Sequence, residues 1–257
     1  MKFEGKLGGL SFYRFNGGYF VRMPGGLTKE MVRDRASCLR VRENNWEFSG
    51  AAKVGKVFRV AFGSFTHQMR DRFLTPRLTQ VFRKICDLGA GGRGSRSITI
   101  SSFGHLLKGQ RFHAERSFAS VFTLPLAVSH DADRTIIRAH VPHVLPQEII
   151  RSPKGATHVQ LWLAAISMSD FVADAGAGYV PLVRDLNGLH CVSGSGLLAL
   201  DGGGWQPNTL EAVFANVSSF PAEVSVIVAM GVAFYQRVDG VDYPLGEGKC
   251  MDVVEVF

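Results

Sequence analysis

The chain has little that would mark a disulfide-stapled, metal-stapled or membrane-spanning protein. Among its 257 residues there are only 4 cysteines. Cys38, Cys86, Cys191 and Cys250 are far apart and form no C-x-x-C pair, so they read as buried free thiols. A structural zinc site wants closely spaced ligand pairs, and none exists. No stretch approaches the roughly 18 uninterrupted apolar residues of a membrane span, so no membrane partner is expected. The opening Met1-Lys2-Phe3-Glu4-Gly5-Lys6 has no apolar core like that of a signal peptide. The expected location is the cytoplasm, or an assembly built in the cytoplasm.

Acidic residues are scarce in one half only. Residues 1–116 hold 22 Lys and Arg against 8 Asp and Glu, a balance of +14; residues 117–257 hold 7 against 14, a balance of −7. The net charge of +7 therefore conceals a bipolar sequence. A basic half suggests a polyanion partner or an acidic surface on another copy of the chain. The hydrophobic share of 46% is that of a folded protein and excludes a disordered one.

Residues 9–26 read as a β-hairpin. Two aromatic-rich runs, Leu10 to Phe15 and Tyr19 to Met23, flank Asn16-Gly17, a pair that favours the positive φ of a tight turn; Pro24-Gly25-Gly26 ends it. Residues 28–88 read as helical. Thr28 can start a short helix. Residues 41–62 carry an apolar stripe at Val54, Val57, Phe58 and Ala61. Glu43 and Glu47 sit in its early turns, where the helix dipole favours acids. Gly50 and Gly55 weaken it or mark close packing. Ser64 and Thr75-Pro76 read as starts of two further helices, the last with Leu78, Val81, Phe82 and Ile85 on one face. Residues 89–97, rich in Gly, Arg and Ser, read as a flexible basic linker. Beyond it come short β-like runs at 118–128, 135–141, 158–168, 196–200, 210–217, 223–235 and 251–256, separated by turn residues. Residues 224–230 are apolar nearly throughout and should form a central strand covered on both faces. The fold class expected is α+β: an N-terminal β-hairpin and basic helices (residues 1–97), followed by a C-terminal antiparallel β-sandwich (residues 98–257).

No catalytic or cofactor constellation emerges. Gly89-Ala90-Gly91-Gly92-Arg93-Gly94 matches G-x-G-x-x-G as a string, but a helix precedes it and a strand follows, the reverse of a dinucleotide site. His140 and His143 face opposite sides of an extended segment, with His130 and His158 farther off, and no carboxylate is placed to complete a metal site. Gly194-Ser195-Gly196 lacks the outer glycines of a nucleophile elbow. Asp170, Asp174 and Asp185 have no acid–base partner in the pattern, and His190-Cys191 are neighbours that point apart. The expectation is no enzymatic activity, no metal and no cofactor. Residues 27–96, with 15 basic and 6 acidic residues, interleave Trp46, Phe48, Phe58, Phe62, Phe65, Phe73 and Phe82. The aromatics read mainly as helix cores, and the bases, Lys53, Lys56 and Arg59 foremost, as a contact for an acidic partner or a polyanion.

Several phrases together resemble an uncharacterised bacterial protein family of unknown function. They are Gly8-Gly9-Leu10-Ser11-Phe12-Tyr13 with Tyr19-Phe20-Val21-Arg22, Arg42-Glu43-Asn44-Asn45-Trp46-Glu47-Phe48 with Ala51-Ala52-Lys53, Pro153-Lys154-Gly155-Ala156-Thr157-His158, and Phe234-Tyr235-Gln236-Arg237-Val238-Asp239-Gly240. The resemblance spans most of the chain and implies one whole-chain unit without a transferable active site. The expected function is that of a non-enzymatic structural subunit that assembles with itself or a close structural partner. The two charged ends would meet head to tail, and the aromatic hairpin residues Phe12, Tyr13, Phe15, Tyr19 and Phe20 would supply apolar area. The alternative is a sequence-independent nucleic-acid-binding protein that uses the basic helical segment.

Overall fold

Gly8-Gly9 and Asn16-Gly17 all take positive φ (54°, 81°, 47° and 82°), so both can serve as two-residue hairpin turns. They join β1 (Gly5–Leu7), β2 (Leu10–Phe15) and β3 (Gly18–Arg22) into an antiparallel meander. The expected hairpin thus has a third strand. The computed structural model describes residues 4–23 and 26–257, so the expected stop at Pro24-Gly25 lies outside the described residues. Two compact units are present, Met1–Asn44 and Asn45–Phe257, and the division falls within a helix. The boundary expected between residues 97 and 98 lies inside the larger unit.

The helices follow their apolar spacing. α1 (Lys29–Asp34) is capped by Thr28, whose Oγ1 accepts the Met31 N–H at 3.2 Å. Its C-terminal end is closed by Arg42, which donates to the carbonyls of Val32, Arg33 and Arg35 at 2.9, 3.2 and 2.8 Å. α2 (Leu39–Ala61) buries Glu47, Gly50, Ala51, Val54, Gly55, Phe58 and Ala61, a stripe at helical spacing. α3 (Gly63–Met69) and α4 (Leu74–Leu88) follow. Ser64 and Thr75-Pro76 are not caps but lie inside the first turns, and Asp71 receives the Phe73 N–H just ahead of α4. Two short helices, α5 (Ile100–Phe103) and α6 (Phe118–Val121), lead into β4 (Val128–His130) and β5 (Ile136–Val141). The run 118–128, expected as a strand, opens as α6. Ser117 and Ser120 form a reciprocal capping box there, which satisfies the first backbone donors and overrides the β propensity of the run.

After α7 (Pro146–Ile149) the chain is almost wholly β: β6 (His158–Ser169), β7 (Phe171–Asp174), β8 (Gly178–Pro181), β9 (His190–Gly194), β10 (Leu198–Ala199), β11 (Asn208–Val213), β12 (Val224–Val238), β13 (Val241–Pro244) and β14 (Cys250–Val256). The architecture is mixed α+β, and every strand pairing is antiparallel. Long β6 and β12 pair along their length. The other edge of β6 carries β9 and β10, and that of β12 carries β13 and β14.

Period-two alternation gives this sheet two apolar faces. Ala164, Ile166 and Met168 of β6, Ile227 and Ala229 of β12, and Met251 and Val253 of β14 pack with Val54, Phe58, Leu78, Phe82 and Ile85 of the helices. The alternate residues, Val159, Leu161, Leu163 and Ala165 of β6 and Val224, Val226, Val228 and Met230 of β12, pack with Ile137, Ala139, Leu210 and Ala212 of the smaller sheet β11-β5-β4. Residues 224–230 are therefore central and covered on both sides, as their composition implies. The helix carrying Lys53, Lys56 and Arg59, α2, shares one core with the sheet. The sequence division into a basic and an acidic half is thus not a division into two separate bodies, which removes the premise of a head-to-tail charge contact. Among the described residues no helix is long and apolar enough to cross a membrane.

Gly50 marks a close approach of α2 to the β-rich part: a Cβ there would overlap the ring of Tyr179, 2.2–2.6 Å from three of its carbons, and Tyr179 is fully packed on β8. Gly50→Ala should cost about 1–3 kcal/mol by overpacking, read from urea unfolding. Gly176→Ala, at an exposed turn with no neighbour nearer than 3.6 Å, should stay within about 0.5 kcal/mol. Equal effects at the two sites would contradict this packing.

Candidate functional site

The five aromatic residues expected to form one interface are distributed over both faces of the N-terminal sheet. The register pairs Phe15 with Gly18, Tyr13 with Phe20 and Arg14 with Tyr19. One face therefore carries Tyr13, Phe15 and Phe20 with Arg22; the other carries Phe12 and Tyr19 with Leu7, Arg14 and Val21. Tyr13 and Phe20 stack at 5.8 Å and Phe15 meets Phe20 edge-on at 6.5 Å. Arg22 lies over Tyr13 and Arg14 over Tyr19. Tyr13, Phe15, Tyr19 and Phe20 are 41–61% exposed, and Phe12 is half-buried. Among the described residues of the smaller unit only Cys38 is buried. Among the described residues no strand pairs with the outer edge of β3.

The basic residues Lys53, Lys56 and Arg59 do not form a single patch. Lys53 and Lys56 line one open groove of about 420 Å³ with Val57, Val60, Asn187 and Gly188. Lys53 Nζ donates to the Ala177 carbonyl at 3.1 Å. Arg59 is absent from the groove wall, and its Nε is buried without a hydrogen-bond partner among the described residues. Of the interleaved aromatics, Phe58, Phe62, Phe65 and Phe82 are core, while Trp46, Phe48 and Phe73 are exposed.

The strongest electrostatic feature is Glu47, expected in an early turn of its helix where the dipole favours acids. It is fully buried in the middle of α2. Its carboxylate accepts from Arg83 Nη1 (2.5 Å), Arg96 Nε (2.9 Å), Arg96 Nη2 (2.8 Å) and the Gly94 N–H (2.8 Å). Asp87 joins both arginines, at 3.2 and 2.9 Å. The Arg96 carbonyl accepts the Tyr179 hydroxyl at 2.7 Å. The segment 89–97, expected as a flexible linker, is thus held in place, and Ser97 N–H donates to Ala90 O as well. Burial alone would push the Glu47 pKa up, but the hydrogen bonds from Arg96, Arg83 and Gly94 outweigh it and hold it near about 2,.

Several of the remaining candidates have structural partners. Asp174 Oδ1 accepts the Gly176 and Ala177 N–H groups in the β7–β8 turn, and Asp170 receives Ser101 N–H and Oγ–H. His130 packs on Phe257, and His140 pairs with Thr209. Among the described residues no group of three or more His, Cys, Asp or Glu could hold a metal ion. All four cysteines are free and buried. Ser195 Oγ accepts the Leu161 N–H and donates to the Gly196 carbonyl. No family model, curated protein or solved structure matches this chain.

A carboxylate whose folded pKa lies below its ordinary value of 4.5 stabilises the fold above that value and loses the contribution as pH falls through the folded pKa. The stability difference between the wild-type chain and Glu47→Gln should therefore be full at pH 6 and shrink between about pH 4.5 and 2. Urea unfolding across that range reads it, and a difference independent of pH would contradict the assignment.

Proposed function

We propose that this protein is a non-enzymatic assembly subunit that joins copies of itself, or a close structural partner, through its three-stranded N-terminal sheet. The observation that carries this reading is the lack of any buried residue in β1–β3, although both faces are aromatic. A small sheet is not stable without a covered face, and each large apolar side chain gains about 1.5–3 kcal/mol when buried. The outer edge of β3 offers backbone groups for strand addition, and Arg14 and Arg22 beside the rings offer contacts to acidic groups. On this reading apolar area supplies the affinity, and charge governs encounter and orientation. The two sheets of the larger unit, facing each other across a shared core, are read as the β-sandwich that carries this element.

A second reading, sequence-independent nucleic-acid binding through residues 27–96, has Lys53 and Lys56 side by side in its favour. The position of Arg59 outside that groove and the burial of Phe58, Phe62, Phe65 and Phe82 count against it, since single strands are held by a basic track with exposed rings.

The test is sedimentation of the full chain. The expected result is a concentration-dependent oligomer that persists in high salt. A Phe15→Lys/Phe20→Lys variant should move it to monomer without changing the far-ultraviolet circular dichroism of the larger unit. A chain that is monomeric at every concentration and salt would refute self-assembly. Oligomers unchanged by the double substitution would refute the aromatic face as the contact.

A further inference from the structure

The chain holds two Asn-Gly pairs, Asn16-Gly17 and Asn187-Gly188, and their surroundings are opposite. Asparagine before glycine is chemically labile, because glycine has no side chain to keep its backbone nitrogen away from the asparagine Cγ. The fold decides whether that nitrogen and that carbon are free to meet.

Asn187 is held at both reacting groups. Its Oδ1 accepts the Ser169 N–H at 3.1 Å, and the Gly188 N–H donates to the Ser167 carbonyl at 2.8 Å. Ser167 and Ser169 are fully buried on β6. Bringing Gly188 N onto Asn187 Cγ would break both bonds beside a central strand of the larger unit. Asn16 and Gly17 form the exposed turn between β2 and β3, at φ 47° and 82°. Among the described residues, neither the Asn16 side chain nor the Gly17 N–H has a hydrogen-bond partner. Ring closure must rotate the Asn16 backbone out of its left-handed turn. The flanking strands contain no buried residue, so opening at this tip exposes no core.

We propose that Asn16 is a site of spontaneous deamidation, converting through a succinimide mainly to isoaspartate, and that the product undoes the register of β2 and β3. Gly17 N gives its proton to solvent base and attacks Asn16 Cγ. An N–Cγ bond forms, and the side-chain nitrogen leaves as ammonia. One water then opens the ring. Addition at the Asn16 main-chain carbonyl breaks its bond to Gly17 N and leaves isoaspartate; addition at Cγ leaves aspartate. No electrons are transferred. Isoaspartate carries the main chain through Cγ, one atom longer, in a two-residue turn whose geometry fixes the pairing of Tyr13 with Phe20 and Phe15 with Gly18,. The reaction does not rest on the assembly reading, and the test keeps the chain dilute so that association does not cover the turn.

The test is incubation of the full chain at neutral pH and physiological temperature over days, followed by peptide mass mapping and chromatographic separation of aspartate from isoaspartate. The peptide containing Asn16 should gain the mass difference between amide and acid, with isoaspartate in excess. Conversion at Asn187 should be at least about tenfold slower, because its opening disrupts buried structure. In urea the two pairs should convert at similar rates, which assigns the difference to the fold. The rate at Asn16 should rise with pH, as loss of the Gly17 amide proton requires. In the purified isoaspartate form the nuclear Overhauser contact between the Tyr13 and Phe20 rings should be lost. Conversion of Asn16 no faster than that of Asn187, a difference that persists in urea, or aspartate without isoaspartate would overturn the site. A retained Tyr13–Phe20 contact would overturn the loss of register.

Discussion

The larger unit depends on one buried carboxylate. Glu47 sits in the middle of α2 with no solvent contact, and a lone charge in that position would be strongly unfavourable. Two guanidinium groups and a backbone N–H surround it, and those donors come from α4 and from residues 94–96. The one side chain therefore ties α2 to α4 and both to the turn that leads into the β region. Residue 98 then pairs with Phe171 of β7, and the Arg96 carbonyl holds Tyr179 of β8. Such a pair adds little net stability compared with an apolar replacement, but removing one member leaves charges stranded and costs about 3–5 kcal/mol. Its effect is to fix one arrangement of helices on the sheet.

That arrangement explains the central sheet. Covered by helices on one side and by the smaller sheet on the other, β6 and β12 can be apolar at nearly every position without exposing a face. A register slip would exchange the residues of the two cores, Ile166 and Ala229 for Ala165 and Met230, and their volumes would no longer match. A bulge in β14, between the partners of Val228 and Ala229, leaves Val254 and Asp252 on the side of the second core. The smaller unit is built differently: its strands are set by Gly8-Gly9 and Asn16-Gly17, and its aromatic side chains meet one another more than they meet a core.

Much of this was legible in the residues. The Asn16-Gly17 turn, the helical stripe through Val54, Phe58 and Ala61, the stripe through Leu78, Phe82 and Ile85, and the two-sided strand at 224–230 all follow from local periodicity. Four features did not, because their causes are not local. Glu47 resembles a dipole-favoured surface acid until Arg83 and Arg96, 36 and 49 residues away, are brought to it. Residues 89–97 have a linker's composition, and they are ordered by partners far away in sequence, Glu47 and Tyr179. Residues 118–128 have strand-like side chains, yet the Ser117–Ser120 capping box starts a helix. Alternation along a strand places Asp252 on a face but cannot show that its Oδ1 lacks a donor among the described residues while Oδ2 accepts the Phe118 N–H. The split of the hairpin aromatics over two faces was available from the register that a two-residue turn imposes.

The central claim is that Glu47 orders the 94–98 turn and so locks the helical layer onto the sheet. Amide hydrogen exchange of the wild-type chain and Glu47→Gln at neutral pH tests it most directly. Gly94, Ser97 and Ile98 should be protected in the wild type and exchange far faster in the variant, while the β6–β12 amides from Val159 to Met168 keep their protection. Unchanged protection at Gly94, Ser97 and Ile98 in Glu47→Gln would contradict the account.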